Sequence, residues 1–130
     1  MQRLGKHILL EFMGCSSQLL NSKDALEPIL NEAAKVMGAS IVESRFHNFS
    51  PIGVSGVVII MESHLTIHTW PEYDYAAIDI FTCGKINFDE GVELLKKKLK
   101  PQSVTESFIE RGIQLQIPVR QISEKQGKSS

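Results

Sequence analysis

Apolar residues at Leu26, Ile29, Leu30, Ala33, Ala34 and Met37 follow the i, i+3, i+4, i+7, i+8, i+11 series of a single helical face. Asp24, with Glu27 three positions on, predicts the N-terminal cap, and Gly38 supplies the stop. Pro28 falls near the first turn, where its missing donor does least harm. A second helix is predicted from Asn87 to Lys100, with Asn87 as cap and Phe88, Val92, Leu95 and Leu99 on the apolar face. Lys96, Lys97, Lys98 and Lys100 suit its C-terminal end as a solvated run, and Pro101 stops it.

The remaining pattern is extended. Residues 4–13 predict a first strand, residues 16–23 a polar turn, and residues 40–49 a second strand broken by Pro51 and Gly53. Residues 54–61 are β-branched and continuous, like a strand buried on both sides. Extended pieces follow at 64–70, ending at Pro71, and at 75–83, ending at Gly84, with a last strand at 104–110 and a polar, frayed end at 121–130. Condensed, the order is roughly β-α-β-β-β-α-β. It predicts an α+β two-layer sandwich, a mainly antiparallel sheet with two main helices on one face. Cover on one side leaves the other sheet face bare, so a homo-oligomer is expected.

Composition narrows the function. In 130 residues, 14 Lys and Arg against 15 Asp and Glu leave a net charge of −1, without the basic excess of a nucleic-acid binder. The length fits one domain, and a 42% hydrophobic content supports a packed core. Cys15 and Cys83 are too few for a disulfide scaffold. The N-terminal stretch lacks a signal-peptide pattern, and the apolar run at 57–61 is far short of the ~20 residues that span a bilayer. The expectation is a cytoplasmic protein with reduced thiols and no membrane association.

Reactive residue types crowd into residues 55–83. Strand periodicity puts His64, Thr66, His68 and Trp70 on one face, and Tyr75, Asp79, Phe81 and Cys83 on one face of the next strand. A hairpin around residues 71–74 would bring these faces together. Taken singly, Ser63 reads as a turn residue, His68 and Trp70 as core, and Cys83 as a small buried hydrophobe. Taken together, they offer two chemistries. One is a metal site of His64, His68 and Cys83, though no standard ligand motif is present. The other is a nucleophile, Ser63 or Cys83, activated by His68.

The run Gly53-Val54-Ser55-Gly56-Val57-Val58-Ile59-Ile60, then Glu62-Ser63-His64-Leu65-Thr66-Ile67-His68-Thr69-Trp70-Pro71-Glu72, then Tyr75-Ala76-Ala77-Ile78-Asp79-Ile80-Phe81-Thr82-Cys83-Gly84 resembles the short prokaryotic S-adenosylmethionine decarboxylase proenzymes. These are pyruvoyl-dependent enzymes of polyamine (spermidine) synthesis. The resemblance extends from about Leu4 to the second helix, and carries little beyond Lys100. Asp74 stands where the family's pattern has glycine.

The resemblance implies a homodimer of two-layer sandwiches and a cofactor made from the chain, with neither metal nor pyridoxal phosphate. Ser63 Oγ would attack the Glu62 carbonyl, and β-elimination would then cut the chain into residues 1–62 (beta chain) and 63–130 (alpha chain). The residue left from Ser63 becomes an N-terminal pyruvoyl group, which binds S-adenosylmethionine as a Schiff base and accepts the electrons released with the carboxylate. By the same resemblance, His68 takes part in proton abstraction during processing and Ser55 supports the charged intermediate. Cys83 returns a proton to Cα. Phe49 and Trp70 offer aromatic faces to the substrate's sulfonium and adenine, and Glu72 accepts from its ribose. The competing readings are a non-catalytic ligand- or metal-binding α+β module, a relative that keeps the fold without processing, and a pyruvoyl decarboxylase of arginine or ornithine.

Overall fold

Alternation along the extended segments resolves into one sheet in the computed structural model, which describes residues 2–114. The elements are β1 (Gln2–Met13), α1 (Ser17–Leu20), α2 (Lys23–Val36), β2 (Ser40–Asn48), β3 (Val54–Met61) and β4 (Ser63–Trp70). A single 3-10 turn, Pro71–Tyr73, leads to β5 (Tyr75–Thr82), α3 (Phe88–Leu99) and β6 (Ser103–Gln114). The sheet has six strands in the order β2-β3-β4-β5-β1-β6, and every neighbouring pair is antiparallel. The expected α+β sandwich is the observed fold. Four strands, rather than the three of the condensed order, lie between α2 and α3.

One face of the sheet is dry. Ile8, Leu10 and Phe12 of β1, Val58 and Ile60 of β3, Leu65 and Ile67 of β4, and Ile78 and Ile80 of β5 form one buried cluster with Leu26, Leu30 and Ala33 of α2 and Val92, Leu95 and Leu99 of α3. Each of these larger side chains contributes about 1.5–3 kcal/mol by leaving water. The odd-numbered positions of β1, β3 and β5, and the even-numbered ones of β4, point the other way, onto a face that no helix of the described chain covers.

That open face corrects the reading of residues 54–61. Burial alternates along β3, and Ile59 and Met61 are exposed. A β-branched run marks a strand, but two-sided burial needs a second covering layer, and the described residues supply one layer only.

Several local expectations also change. Residues 16–23 contain the short helix α1, capped by the Ser16 hydroxyl, because Leu20 has a place in the core. The cap of α2 is Ser22, whose Oγ accepts from the Ala25 amide at 3.1 Å, and Asp24 already lies in the first helical turn. β6 outruns its predicted bounds because it pairs along the length of β1. Lys96 ion-pairs with Glu93 at 3.4 Å and Glu106 at 3.1 Å, so the lysine run is not wholly free in solvent. Asp74 takes the glycine position of the β4–β5 turn with φ of 54°, in the left-handed region that Asp tolerates. Its carbonyl accepts from the amides of Gly14 and Cys15, both at 3.0 Å, tying the turn to the end of β1. Among the described residues no helix is long and apolar enough to cross a membrane. The predicted frayed end at 121–130 lies outside the described residues.

Candidate active site

The β4–β5 hairpin forms with Trp70 opposite Tyr75, and its register carries through to Ser63 opposite Thr82. The reactive residues therefore share a sheet but spread along it, in three groups.

At the β3–β4 turn, Ser63 has φ of 127°, a strained region for any residue with a side chain. Its Oγ lies 3.6 Å from Cys83 Sγ. The Glu62 carbonyl, on the peptide bond before Ser63, accepts a hydrogen bond from Thr82 Oγ1 at 3.3 Å, and Thr82 Oγ1 itself accepts from the Gly84 amide at 3.0 Å. Beside Cys83 opens a groove of about 450 Å³, lined in part by Gly5, Lys6, Lys85 and Phe88. Cys83 is exposed and free.

At the opposite end of β4, Ser55 Oγ and His68 Nδ1 are 2.8 Å apart, fixed by the direct pairing of Ser55 with His68 across β3 and β4. Gly56 lets the Phe46 ring close over β3 here; a Cβ on it would fall 2.2 Å from that ring. Phe49 is 49% exposed and Trp70 41%, so core packing describes neither. Trp70 stacks on Tyr75 with centroids 5.2 Å apart and ring planes 23° apart. The Tyr75 hydroxyl donates to Glu11 Oε1. Desolvation first, and then the Glu11 carboxylate, push the Tyr75 phenol up to about 12. Glu72 stands exposed in the 3-10 turn next to Trp70.

Between these ends lies a third group. His7 Nε2 and His64 Nε2 approach Asp79 Oδ1 at 3.6 and 3.5 Å, and Arg111 Nη1 donates to His7 Nδ1 at 3.1 Å. The ligand atoms of His7, His64 and Asp79 lie within 4.8 Å of one another, a spacing that could hold a metal ion. The set drawn from spacing alone, His64, His68 and Cys83, does not form. His64 turns to Asp79, His68 to Ser55 and Cys83 to Ser63. In a strand, a spacing of four residues keeps side chains on one face but separates them by roughly 13 Å.

The structure thus pairs Ser63 with Cys83, and Ser55 with His68, but holds the pairs apart. Ser63 and His68 are five residues apart on one straight strand, roughly 16 Å, so His68 does not reach Ser63 within one chain. Thr82, Tyr75 and Glu11 were given no role in the sequence reading. The register shows Thr82, since a hairpin that pairs Trp70 with Tyr75 also pairs Ser63 with Thr82. Glu11 faces Tyr75 only through the β1–β5 pairing, which no local pattern announces.

A family model described as S-adenosylmethionine decarboxylase matches residues 6–112. The chain belongs to the S-adenosylmethionine decarboxylase family. The match runs past Lys100, further than the sequence motifs alone extended. An S-adenosylmethionine decarboxylase proenzyme of Clostridium kluyveri is 51% identical over 114 residues, 87% of this chain and 90% of that protein. One of Thermosipho melanesiensis is 53% identical over 105 residues, 80% of this chain and 81% of that protein. Among solved structures, the adenosylmethionine decarboxylase from Aquifex aeolicus superposes with a TM-score of 0.81 at 28% identity, covering 92% of this chain and 100% of that one.

Proposed function

We propose that this protein is a proenzyme that cuts itself between Glu62 and Ser63 and then decarboxylates S-adenosylmethionine. The observation that carries this reading is Ser63 itself. It sits at a positive φ, its hydroxyl is next to Cys83, and the preceding carbonyl is already held by a hydrogen-bond donor. The relatives from Clostridium kluyveri and Thermosipho melanesiensis, both named decarboxylase proenzymes, support it.

Cleavage would yield 62 residues and 130 − 62 = 68 residues. The pieces stay together because β1 of the first lies between β5 and β6 of the second, while β3 pairs with β4 across the cut. A pyruvoyl group in place of Ser63 fits this site, since it would lie beside the groove at Cys83. Bound there, it supplies the electron sink that decarboxylation of an amino acid needs. Around it, Cys83 presents a thiol as proton donor to Cα. Phe49 and Trp70 offer exposed aromatic faces to a sulfonium and a purine, Tyr75 backs the Trp70 ring, and Glu72 accepts from ribose hydroxyls.

The separation of the two ends makes a homodimer part of the reading. The open face carries Leu9, Val57, Ile59, Met61 and Ile109 beside its polar groups, and Ile59, Met61 and Ile109 are exposed. Two such faces stacked about a two-fold axis that lies between the sheets and crosses β4 at right angles bring each Ser63 end over the other copy's His68 end. Ser55 and His68 then serve processing in trans. A cytoplasmic setting suits the free thiol at Cys83.

Intact mass spectrometry of the purified protein tests the cut. The expected result is two fragments, the larger with a blocked amino end, and neither fragment in Ser63→Ala. Release of labelled carbon dioxide from carboxyl-labelled S-adenosylmethionine, with arginine and ornithine run alongside, tests the substrate. A persistently uncut chain, or turnover of arginine or ornithine instead, defeats the proposal.

A further inference from the structure

Thr82 is 2% exposed, and its hydroxyl bridges two backbone groups. It accepts from the Gly84 amide and donates to the Glu62 carbonyl oxygen. An amide donating into the hydroxyl oxygen polarises the O–H bond and strengthens the hydrogen bond it gives. The acceptor is the carbonyl that, on the processing reading above, Ser63 Oγ attacks. From these contacts we infer that Thr82 is the donor, within the chain, that stabilises the oxyanion formed at Glu62 when the peptide bond becomes an ester.

The step balances without a co-reactant. The Ser63 Oγ–Glu62 C bond forms, and the carbonyl electron pair moves onto the Glu62 oxygen. The Thr82 hydroxyl then holds that oxygen as an anion while keeping its own proton. When the adduct collapses, the carbonyl re-forms, the C–N bond to Ser63 breaks, and the proton lost from Oγ ends on the Ser63 nitrogen. Charge develops on the atom Thr82 already touches, so its hydrogen bond is stronger in the adduct than in the amide.

The placement also separates Thr82 from Ser55. Ser55 lies at the far end of the sheet, paired with His68, and reaches Glu62 only from a second copy. Thr82 is opposite Ser63 in the register of its own hairpin and remains there in a monomer. Thr82 is therefore in place for ester formation within one chain, whereas Ser55 and His68 join the site in trans, His68 for the elimination.

The test is a time course of cleavage in the full-length chain for Thr82→Val, Thr82→Ala and Thr82→Ser. Loss of one oxyanion donor slows acyl chemistry by about 100-fold or more. Valine and alanine are expected to show that loss, and serine, which keeps the hydroxyl, to stay within a few-fold of wild type. Should valine disturb the sheet by its melting temperature, the alanine and serine pair decides. A second readout isolates the step. In a His68→Ala background elimination stalls, so the ester accumulates, and hydroxylamine cuts esters but not amides. Adding Thr82→Ala there should slow the release of residues 1–62 under continuous hydroxylamine by a similar factor, an effect that altered packing alone would not match with serine rescue. Wild-type cleavage rates in folded Thr82→Ala, or an undiminished rate of hydroxylamine release, overturn the role of Thr82 while leaving the cut itself intact. A wild-type chain that never cuts overturns the processing reading, and the inference falls with it.

Discussion

If the catalytic groups are shared between two chains, one defective in each half-site should rescue the other. Within one chain Ser63 and His68 are roughly 16 Å apart along β4, against the ~3 Å that proton transfer needs. No rotamer spans that gap, because an imidazole reaches only a few ångströms from its Cα. Consider Cys83→Ala and His68→Ala chains produced together. In a mixed dimer, one site combines both lesions, and the other combines Ser63 and Cys83 of the His68→Ala chain with Ser55 and His68 of the Cys83→Ala chain. That second site is wild type throughout. With random pairing about half of the dimers are mixed, so about one site in four is intact. The expected result is that His68→Ala chains, inert when made alone, are cut in the mixture, and decarboxylation returns to about a quarter of wild type. The two chains differ in mass, so mass spectrometry identifies which is cut. If His68→Ala chains stay whole in mixed dimers isolated by two affinity tags, the shared site is wrong.

Four further outcomes follow from single contacts. Cys83→Ala made alone should still cut at Glu62–Ser63 but lose turnover, and a variant as active as wild type would remove Cys83 as the proton donor. Iodoacetamide on the native protein should modify exposed Cys83 and spare Cys15, which is buried and pushed up to about 11 by desolvation and the nearby Asp74 charge; peptide mapping checks it. Tyr75 rises from 10.0 to about 12 in the fold, so its contribution to stability is complete below pH 10 and drains away as the pH rises to 12. Melting temperatures across that window should fall less steeply in Tyr75→Phe than in wild type. Gly56→Ala should cost about 1–3 kcal/mol in chemical denaturation, because the added methyl meets the buried Phe46 ring at 2.2 Å. Wild-type stability there would mean that the ring moves freely.

The alternation of β4 and β5 placed His64, His68 and Trp70 on one face and Asp79 and Cys83 on another, and the hairpin brought these faces together as one. The helical faces of α2 and α3 were equally legible, because a 3.6-residue period needs no knowledge of what covers it. The Glu62–Ser63 pair and its neighbours stood out as a block of mostly polar residues. Local pattern failed where the answer depended on a distant partner. Two-sided burial of β3 was expected from its β-branched run, but burial is decided by the layers that lie over a strand. The cap of α2 moved from Asp24 to Ser22, since either residue could serve until packing fixed the first helical turn.

The sequence by itself determined the two main helices and the six strands, the reactive block at residues 55–83 and the family, but not the short helix α1. Only the tertiary structure decided which reactive groups meet. Strand geometry keeps side chains of equal parity on one face whatever their distance, so His64, His68 and, across the hairpin, Cys83 read as one constellation in the chain. In three dimensions register pairs Ser63 with Thr82 and Cys83, pairs Ser55 with His68, and leaves His7, His64 and Asp79 between them. A straight β-strand cannot fold back within its own length, so within one chain the two ends of β4 stay apart.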